Sequence, residues 1–266
     1  MASFSLDKLQ EGLRTKRLGK RIFFSQVVAS TNEWAKELAS YDAEEGTVAV
    51  AEMQTAGRGR LGREWFSPKG GLYFSVVLRP AVKPVEAVGL VFVAGLAVAD
   101  VLRKVYCLSA ETKWPNDVVV NGKKVCGVLS EMNSTDDRVN FVVLGVGVNV
   151  DFDVEKVLPE GLWERSTSLE IALGRRVRLE ELFRALVERL EDVYERFLME
   201  GFSAVLEEWK SYADFLGKKV EVRVDGEEFE GLALDVNNEG ALVVKLKDGT
   251  VKRVFVGDVS LRVNSL

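Results

Sequence analysis

The 266-residue chain contains no histidine. That absence excludes Ser-His-Asp and Cys-His hydrolases and HExxH metalloproteases together, so any proton transfer must use other groups. There are two cysteines, Cys107 and Cys126, in neither a CxxC nor another metal-ligand spacing. A disulfide framework and a zinc site are therefore not expected, and both residues read as small buried hydrophobes. No run of about 18 apolar residues occurs, and the opening MASFSLDKLQEGL lacks the apolar core of a signal peptide, so the expectation is a cytoplasmic protein with no membrane span. A net charge of −5 gives no basic excess. A nucleic-acid partner is therefore not expected, although local basic loops remain open.

What is present is an ordinary globular composition, 47% hydrophobic and 29% charged, long enough for one large domain and a small one. Arg21 to Val28 reads as a strand, and Ser30-Thr31-Asn32 leads into a helical pattern through Leu38, with Ser30 or Thr31 as its cap. Thr47 to Met53 and Leu72 to Leu78 read as strands flanking a glycine- and arginine-rich loop. The apolar stretch Pro84 to Val105 suits one buried helix. Strands follow at Val118 to Val120, Lys124 to Glu131 and Val139 to Val150, with Asn121-Gly122 as a hairpin turn and antiparallel pairing. Leu179 to Phe197 and Phe202 to Tyr212 read as amphipathic helices. From Leu216 the pattern changes to short strands with turns at Asp225-Gly226, Asn238-Glu239-Gly240 and Asp248-Gly249, as in a small all-β barrel. The domains are therefore drawn at 1–215 and 216–266.

Gly57, Gly59 and Gly62 match the GxGxxG spacing of a dinucleotide site. That site needs a helix to start at the loop, and here Pro68, Gly70 and Gly71 oppose one, so the dinucleotide reading is rejected. What remains is a loop carrying Arg58, Arg60 and Arg63 with no acidic residue from Gln54 through Arg63, suited to a polyanionic ligand or to a solvated turn.

Three motifs decide between those readings. QTAGRGRLGREW (Gln54 to Trp65), KWPND (Lys113 to Asp117) and KVCG (Lys124 to Gly127), preceded by Ser30-Thr31-Asn32 and followed by GVGVN ending at Asn149 and SLR ending at Arg262, resemble the biotin protein ligase family. The resemblance implies an α+β fold, a mixed sheet covered by helices, with a small C-terminal SH3-like β-barrel. It implies ATP-dependent formation of biotinyl-5'-AMP and transfer of biotin to one lysine of a biotin carboxyl carrier protein, with Mg²⁺ accompanying ATP. Some members add an N-terminal DNA-binding domain. About twenty residues precede the first strand here, so repressor activity is not expected, while a homodimer is left open. A lipoate ligase or octanoyltransferase is the nearest rival, but those families carry a histidine-containing glycine motif.

By the same resemblance Ser30, Thr31, Asn32 and Gln54 contact the ureido end of biotin, with Arg58, Gly59, Arg60, Lys124 and Gly127 completing its site. Arg58 and Arg60 cover the adenylate, and Arg63, Trp65, Lys113, Asn116 and Asn149 belong to the nucleotide side. Lys124 holds the carboxylate and α-phosphate oxygens. Lys124, Arg58 and Asp117 form the catalytic set, in which Asp117 assists the acceptor amine, helps hold Mg²⁺ or braces Lys124. Trp163 is assigned either to adenine stacking or to the core, and Arg262 to the ATP phosphates. No metal is expected to be fixed by the protein alone.

Overall fold

The computed structural model describes residues 5–224 and 226–261. In chain order the elements are α1 (Leu6–Gln10), β1 (Ile22–Val28), α2 (Thr31–Ser40), β2 (Val48–Gln54), β3 (Leu72–Leu78), α3 (Pro84–Ala87), α4 (Leu90–Lys104), β4 (Ala110–Lys113), β5 (Asp117–Val120), β6 (Lys123–Ser134), β7 (Val139–Val148), α5 (Val154–Val157), α6 (Leu169–Leu173), α7 (Leu179–Glu200) and α8 (Phe202–Ser211). Five short strands close the sequence: β8 (Lys219–Val224), β9 (Glu227–Val236), β10 (Leu242–Lys245), β11 (Val251–Val254) and β12 (Asp258–Leu261).

The seven strands of the first sheet run in the order β1-β2-β3-β7-β6-β5-β4. The β1–β2 pair is parallel and every other neighbour is antiparallel, which makes the sheet mixed. Side chains alternate between the two faces, because successive Cβ atoms of a strand point in opposite directions. Leu72, Phe74, Val76 and Leu78 of β3 join Val142, Leu144, Val146 and Val148 of β7 in the main core, where α4, α7 and α8 cover the sheet. On the other face Val77, Phe141 and Val143 meet Ala35 and Ala39 of α2 in a smaller cluster. Small residues on that face of α2 bring the helix close to the sheet.

Helix α4 holds the centre of the main core. Its Phe92 ring packs 5.0 Å from Trp209 of α8 and 5.2 Å from Phe202, and Phe183 of α7 meets Phe74 edge-on at 5.5 Å. Pro84–Lys104 is long and apolar enough by composition to cross a membrane, yet most of it is buried inside this protein. Two expectations are corrected here. The single helix from Pro84 to Val105 is interrupted at Val88 and Gly89, where a Cβ on Gly89 would press against the Phe197 and Phe202 rings. Cys107 is exposed, not buried, because it lies in the turn after α4 with a φ of 54°, while Cys126 is buried as expected.

The second sheet is antiparallel, in the order β11-β10-β9-β8-β12. It docks on the first through Trp114, whose buried indole Nε1 donates to Gly240 O at 2.9 Å. Asn238-Glu239-Gly240 and Asp248-Gly249 fall between strands as expected, and Asp225 of the remaining turn lies outside the described residues.

Candidate functional site

One face of the first sheet is left open beyond α2, and the strand register decides what lines it. Gly127 of β6 pairs with Gly147 of β7, Leu129 with Gly145, and Gly145 also with Ser75 of β3. These residues share the face that α2 only partly covers, so three glycines form a floor without side chains. The indole of Trp65 occupies that floor: a Cβ on Gly147 would overlap its Nε1, and one on Gly127 would stand 3.0 Å from Cζ3. Nε1 is buried and has no hydrogen-bond partner among the described residues, an unmet donor in the cleft lining.

Trp65 reaches the floor because the glycine-arginine loop folds back on itself. Gln54 N donates to Ser67 O at 3.1 Å, Trp65 N to Gly57 O at 2.9 Å and Gly59 N to Arg63 O at 2.7 Å. A short 3₁₀ turn at Arg60–Gly62, with Leu61 at φ 55°, forms its tip. Arg60 Nη1 donates to Asn116 Oδ1 at 3.1 Å, Arg58 pairs with Glu33 of α2, and Arg63 pairs with Asp258 of β12. Each loop arginine is therefore tied to a different element, and Arg63 joins the loop to the second sheet.

At one end of the cleft stand neutral hydrogen-bonding groups. Gln54 Oε1 lies 2.7 Å from Thr31 N and 3.1 Å from Thr31 Oγ1, and Gln54 Nε2 donates to Ser67 Oγ at 2.7 Å. Ser75 Oγ sits 2.8 Å from Thr31 Oγ1 and 2.7 Å from Asn32 Oδ1. Ser30 occupies the N-cap position of α2 but makes no side-chain cap bond, and neither does Thr31, whose hydroxyl turns to Gln54. The expected cap is thus replaced by a network directed at the cleft.

At the other end stand charges. The KWPND segment is the turn of the β4–β5 hairpin, in which Lys113 pairs with Asp117 and the Trp114–Pro115 bond is cis. Asn116 Nδ2 donates to Val128 O at 2.6 Å. A register shift between Val118 and Val119 leaves Val125 of β6 as an extra residue. This bulge changes the alternation, so that Lys124 and Gly127, three apart, both turn to the open face while Val125 and Cys126 are buried. Lys124 Nζ then lies 2.6 Å from Asp117 Oδ1 and 5.2 Å from the Trp65 ring centroid. Lys123 is exposed at the hairpin end.

Burial pushes the Lys113 ammonium below the usual lysine range; Asp117 opposes that shift and Lys124 adds to it. Burial alone would raise Asp258, but its hydrogen bond with Arg63 and the charges of Arg63, Arg60 and Lys124 hold it below the usual carboxylate range.

Of the residues expected from sequence, Ser30, Thr31, Asn32, Gln54, Arg58, Gly59, Arg60, Arg63, Trp65, Asn116, Asp117, Lys124, Gly127 and Asn149 line this one cleft. Lys113, expected on the nucleotide side, does not line it, although its pairing partner Asp117 does. Trp163 is half-buried outside it, though Leu162 and Ser166 from the same segment do reach it. Arg262 lies outside the described residues. Sequence reasoning missed Ser75, Glu131, Glu33 and Asp258. A serine within the apolar run LYFSVVL was the available signal for Ser75; the others are partners distant in sequence and carry none.

The chain is similar to known proteins over most of its length. A model of the biotin/lipoate A/B protein ligase family matches residues 24–149, and one of the biotin protein ligase C terminal domain matches 215–262. The bifunctional ligase/repressor BirA of Bacillus subtilis is 34% identical over 258 residues, 97% of this chain and 79% of that one. The chain belongs to the biotin protein ligase family.

This ligase is also 34% identical to the biotin--[acetyl-CoA-carboxylase] ligase of Mycobacterium tuberculosis over 263 residues, 94% of each chain. The biotin protein ligase of Aquifex aeolicus, solved with biotin and ATP, superposes with a TM-score of 0.76 at 30% identity, covering 91% of this chain and 99% of that one. The mixed sheet with its helices, and the small antiparallel sheet as the SH3-like C-terminal unit, are thereby those of the family.

Proposed function

We propose that this enzyme forms biotinyl-5'-AMP from biotin and ATP and transfers the biotinyl group to a lysine of a biotin carboxyl carrier domain. One observation carries the reading. The cleft has a neutral hydrogen-bonding end at Thr31, Asn32 and Gln54, a floor of three glycines under Trp65, and a cationic end at Lys124 and Arg60. Biotin presents a neutral ureido ring, an apolar body and a carboxylate in the same order.

In the first step a carboxylate oxygen attacks the α-phosphorus and pyrophosphate leaves. The Lys124 ammonium sits between the two reacting anions and stabilises the charge that builds on the α-phosphate oxygens. Arg58 and Arg60 supply guanidinium forks to phosphate oxygens, and Asn149 meets the nucleotide. In the second step the acceptor amine attacks the acyl carbon and AMP leaves. Asp117 braces Lys124 and is a cleft carboxylate that can orient that amine.

Mg²⁺ enters with ATP in this reading. Asp117 and Asp258 are cleft carboxylates already paired with Lys124 and Arg63. They suit a cation carried mainly by phosphate oxygens, which is how Mg²⁺ is usually held.

The division at residue 215 is part of the same proposal, supported by the passage from α8, ending at Ser211, to β8, starting at Lys219. A cytoplasmic location is proposed too, consistent with the free thiols of Cys107 and Cys126. The test is incubation with ATP, Mg²⁺ and labelled biotin or lipoate, with and without a carrier domain. Label reaching the carrier from biotin alone supports the proposal.

A further inference from the structure

Asn32 is 4% exposed, and its carboxamide is held from both ends. Nδ2 lies 2.8 Å from Glu131 Oε2 and 3.4 Å from Leu129 O, while Oδ1 lies 2.7 Å from Ser75 Oγ. The reverse orientation would set the amide oxygen against a carboxylate and a carbonyl, with no proton among the three acceptors, so only one orientation is satisfied. Glu131 is itself clamped. Lys36, one helical turn beyond Asn32 on α2, donates to Glu131 Oε1 at 2.9 Å and to Glu33 Oε1 at 2.8 Å.

Burial alone would raise the Glu131 carboxyl, but its bonds to Lys36 and Asn32 hold it below the usual range, so it is ionised at neutral pH. The consequence appears at Gly145, where a Cβ would overlap Asn32 Oδ1 and stand 3.2 Å from Nδ2. Both Asn32 and Gly145 line the cleft. With both Nδ2 protons taken by the protein, what Asn32 has left to offer a ligand is the second lone pair of Oδ1.

We infer that Glu131, clamped by Lys36, is a positioning residue for ligand recognition: it fixes the Asn32 carboxamide so that Oδ1 serves as a dedicated acceptor for a ligand N–H. This rests on the proposed placement of the biotin ureido group at the Thr31–Asn32–Gln54 end. It adds that the selection of an N–H-bearing head group is set from outside the cleft, by an ion pair between α2 and β6. A ligand lacking an N–H there would leave the oxygen unpaired, and unpaired buried acceptors discriminate strongly between otherwise similar ligands.

The test is steady-state pyrophosphate release against biotin concentration for Asn32→Ala, Glu131→Ala, Glu131→Gln and the Asn32→Ala/Glu131→Ala double variant. Glu131→Ala should raise the KM for biotin about tenfold, with kcat and the KM for ATP little changed. Glu131→Gln has one acceptor oxygen where Lys36 Nζ and Asn32 Nδ2 each need one, and its NH₂ can also satisfy a flipped Asn32, so it should restore only part of the loss. In the double variant the KM should equal that of Asn32→Ala, because Glu131 acts only through Asn32. Independent, multiplying effects overturn the inference, as does a normal KM in Glu131→Ala beside a raised one in Asn32→Ala. A normal KM in Asn32→Ala overturns the placement of the ureido group itself. If Glu131→Ala does not fold, Lys36→Met keeps the carboxylate, loses its clamp and should raise the KM about threefold; an unchanged value there is equally contrary.

Discussion

The ammonium of Lys124 stands 2.6 Å from Oδ1 of Asp117, across two strands whose register is shifted by a bulge at Val125. Without that extra residue Lys124 would turn into the core with Cys126. The bulge is therefore what gives the cleft its central cation.

Lys124→Ala is expected to slow adenylate formation at least ~100-fold, because one preorganised charge lost from the transition state costs about 3 kcal/mol. Folding should survive, since Lys124 is one-third exposed and its ion pair adds little to stability. Pyrophosphate release and a thermal melt measure the two effects separately. Near-normal release by a folded variant would remove Lys124 from the chemistry.

Arg60→Gly should act more on keeping the intermediate than on making it. It removes the bond to Asn116 Oδ1 and places a further glycine in a loop that already has Gly57, Gly59 and Gly62. The adenylate should escape and acylate unrelated amines while ATP is still consumed, read as labelling of serum albumin. Slower adenylation with tight product retention would contradict the assignment.

Gly147→Ala places a methyl group where Trp65 Nε1 now lies. The indole must leave the floor, and kcat/KM for biotin should fall about tenfold or more, a loss of ~1.4 kcal/mol or greater. The melting temperature should change little, because Trp65 sits in an open cleft. An unchanged kcat/KM would show that the glycine floor does not position the indole.

Much of this was legible in sequence, for identifiable reasons. Leu72–Leu78 was read to the residue because an apolar run between turn signals has few other solutions. Strand β4, Ala110–Lys113, was not read: its sequence AETK has two charged residues and no β-branched residue but Thr112, and it is fixed instead by pairing with β5 and by Thr112 Oγ1 donating to Trp209 O. The interruption at Gly89 depends on two phenylalanines more than 100 residues away. The same limit applied in the cleft. The motifs named the residues that meet ligand, but Glu131 and Ser75 reach Asn32 only through the fold, from 99 and 43 positions away. The pairing of Gly127 with Gly147 is a matter of cross-strand register, which neither motif contains.

Asp258 links stability to acid. Its carboxyl is held below the usual range when folded, so as pH drops the unfolded chain takes up the proton first. Its contribution is present above the unfolded value, near pH 4, and is lost as pH falls through the folded value. Denaturation midpoints measured from pH 7 down to about pH 3 should therefore fall at the acid end, and Asp258→Asn should flatten that fall. An acid limb of the same slope in the variant would show that the Arg63–Asp258 pair makes no net contribution.

The central claim is that this cleft adenylates biotin and delivers it to a carrier lysine. It is tested most directly by following labelled biotin and labelled lipoate, each with ATP and Mg²⁺, onto a purified biotin carboxyl carrier domain. The expected result is one biotinyl group per carrier, with AMP and pyrophosphate released in equal amounts and no transfer from lipoate. Transfer of lipoate, or ATP consumption with the carrier left unmodified, would contradict it.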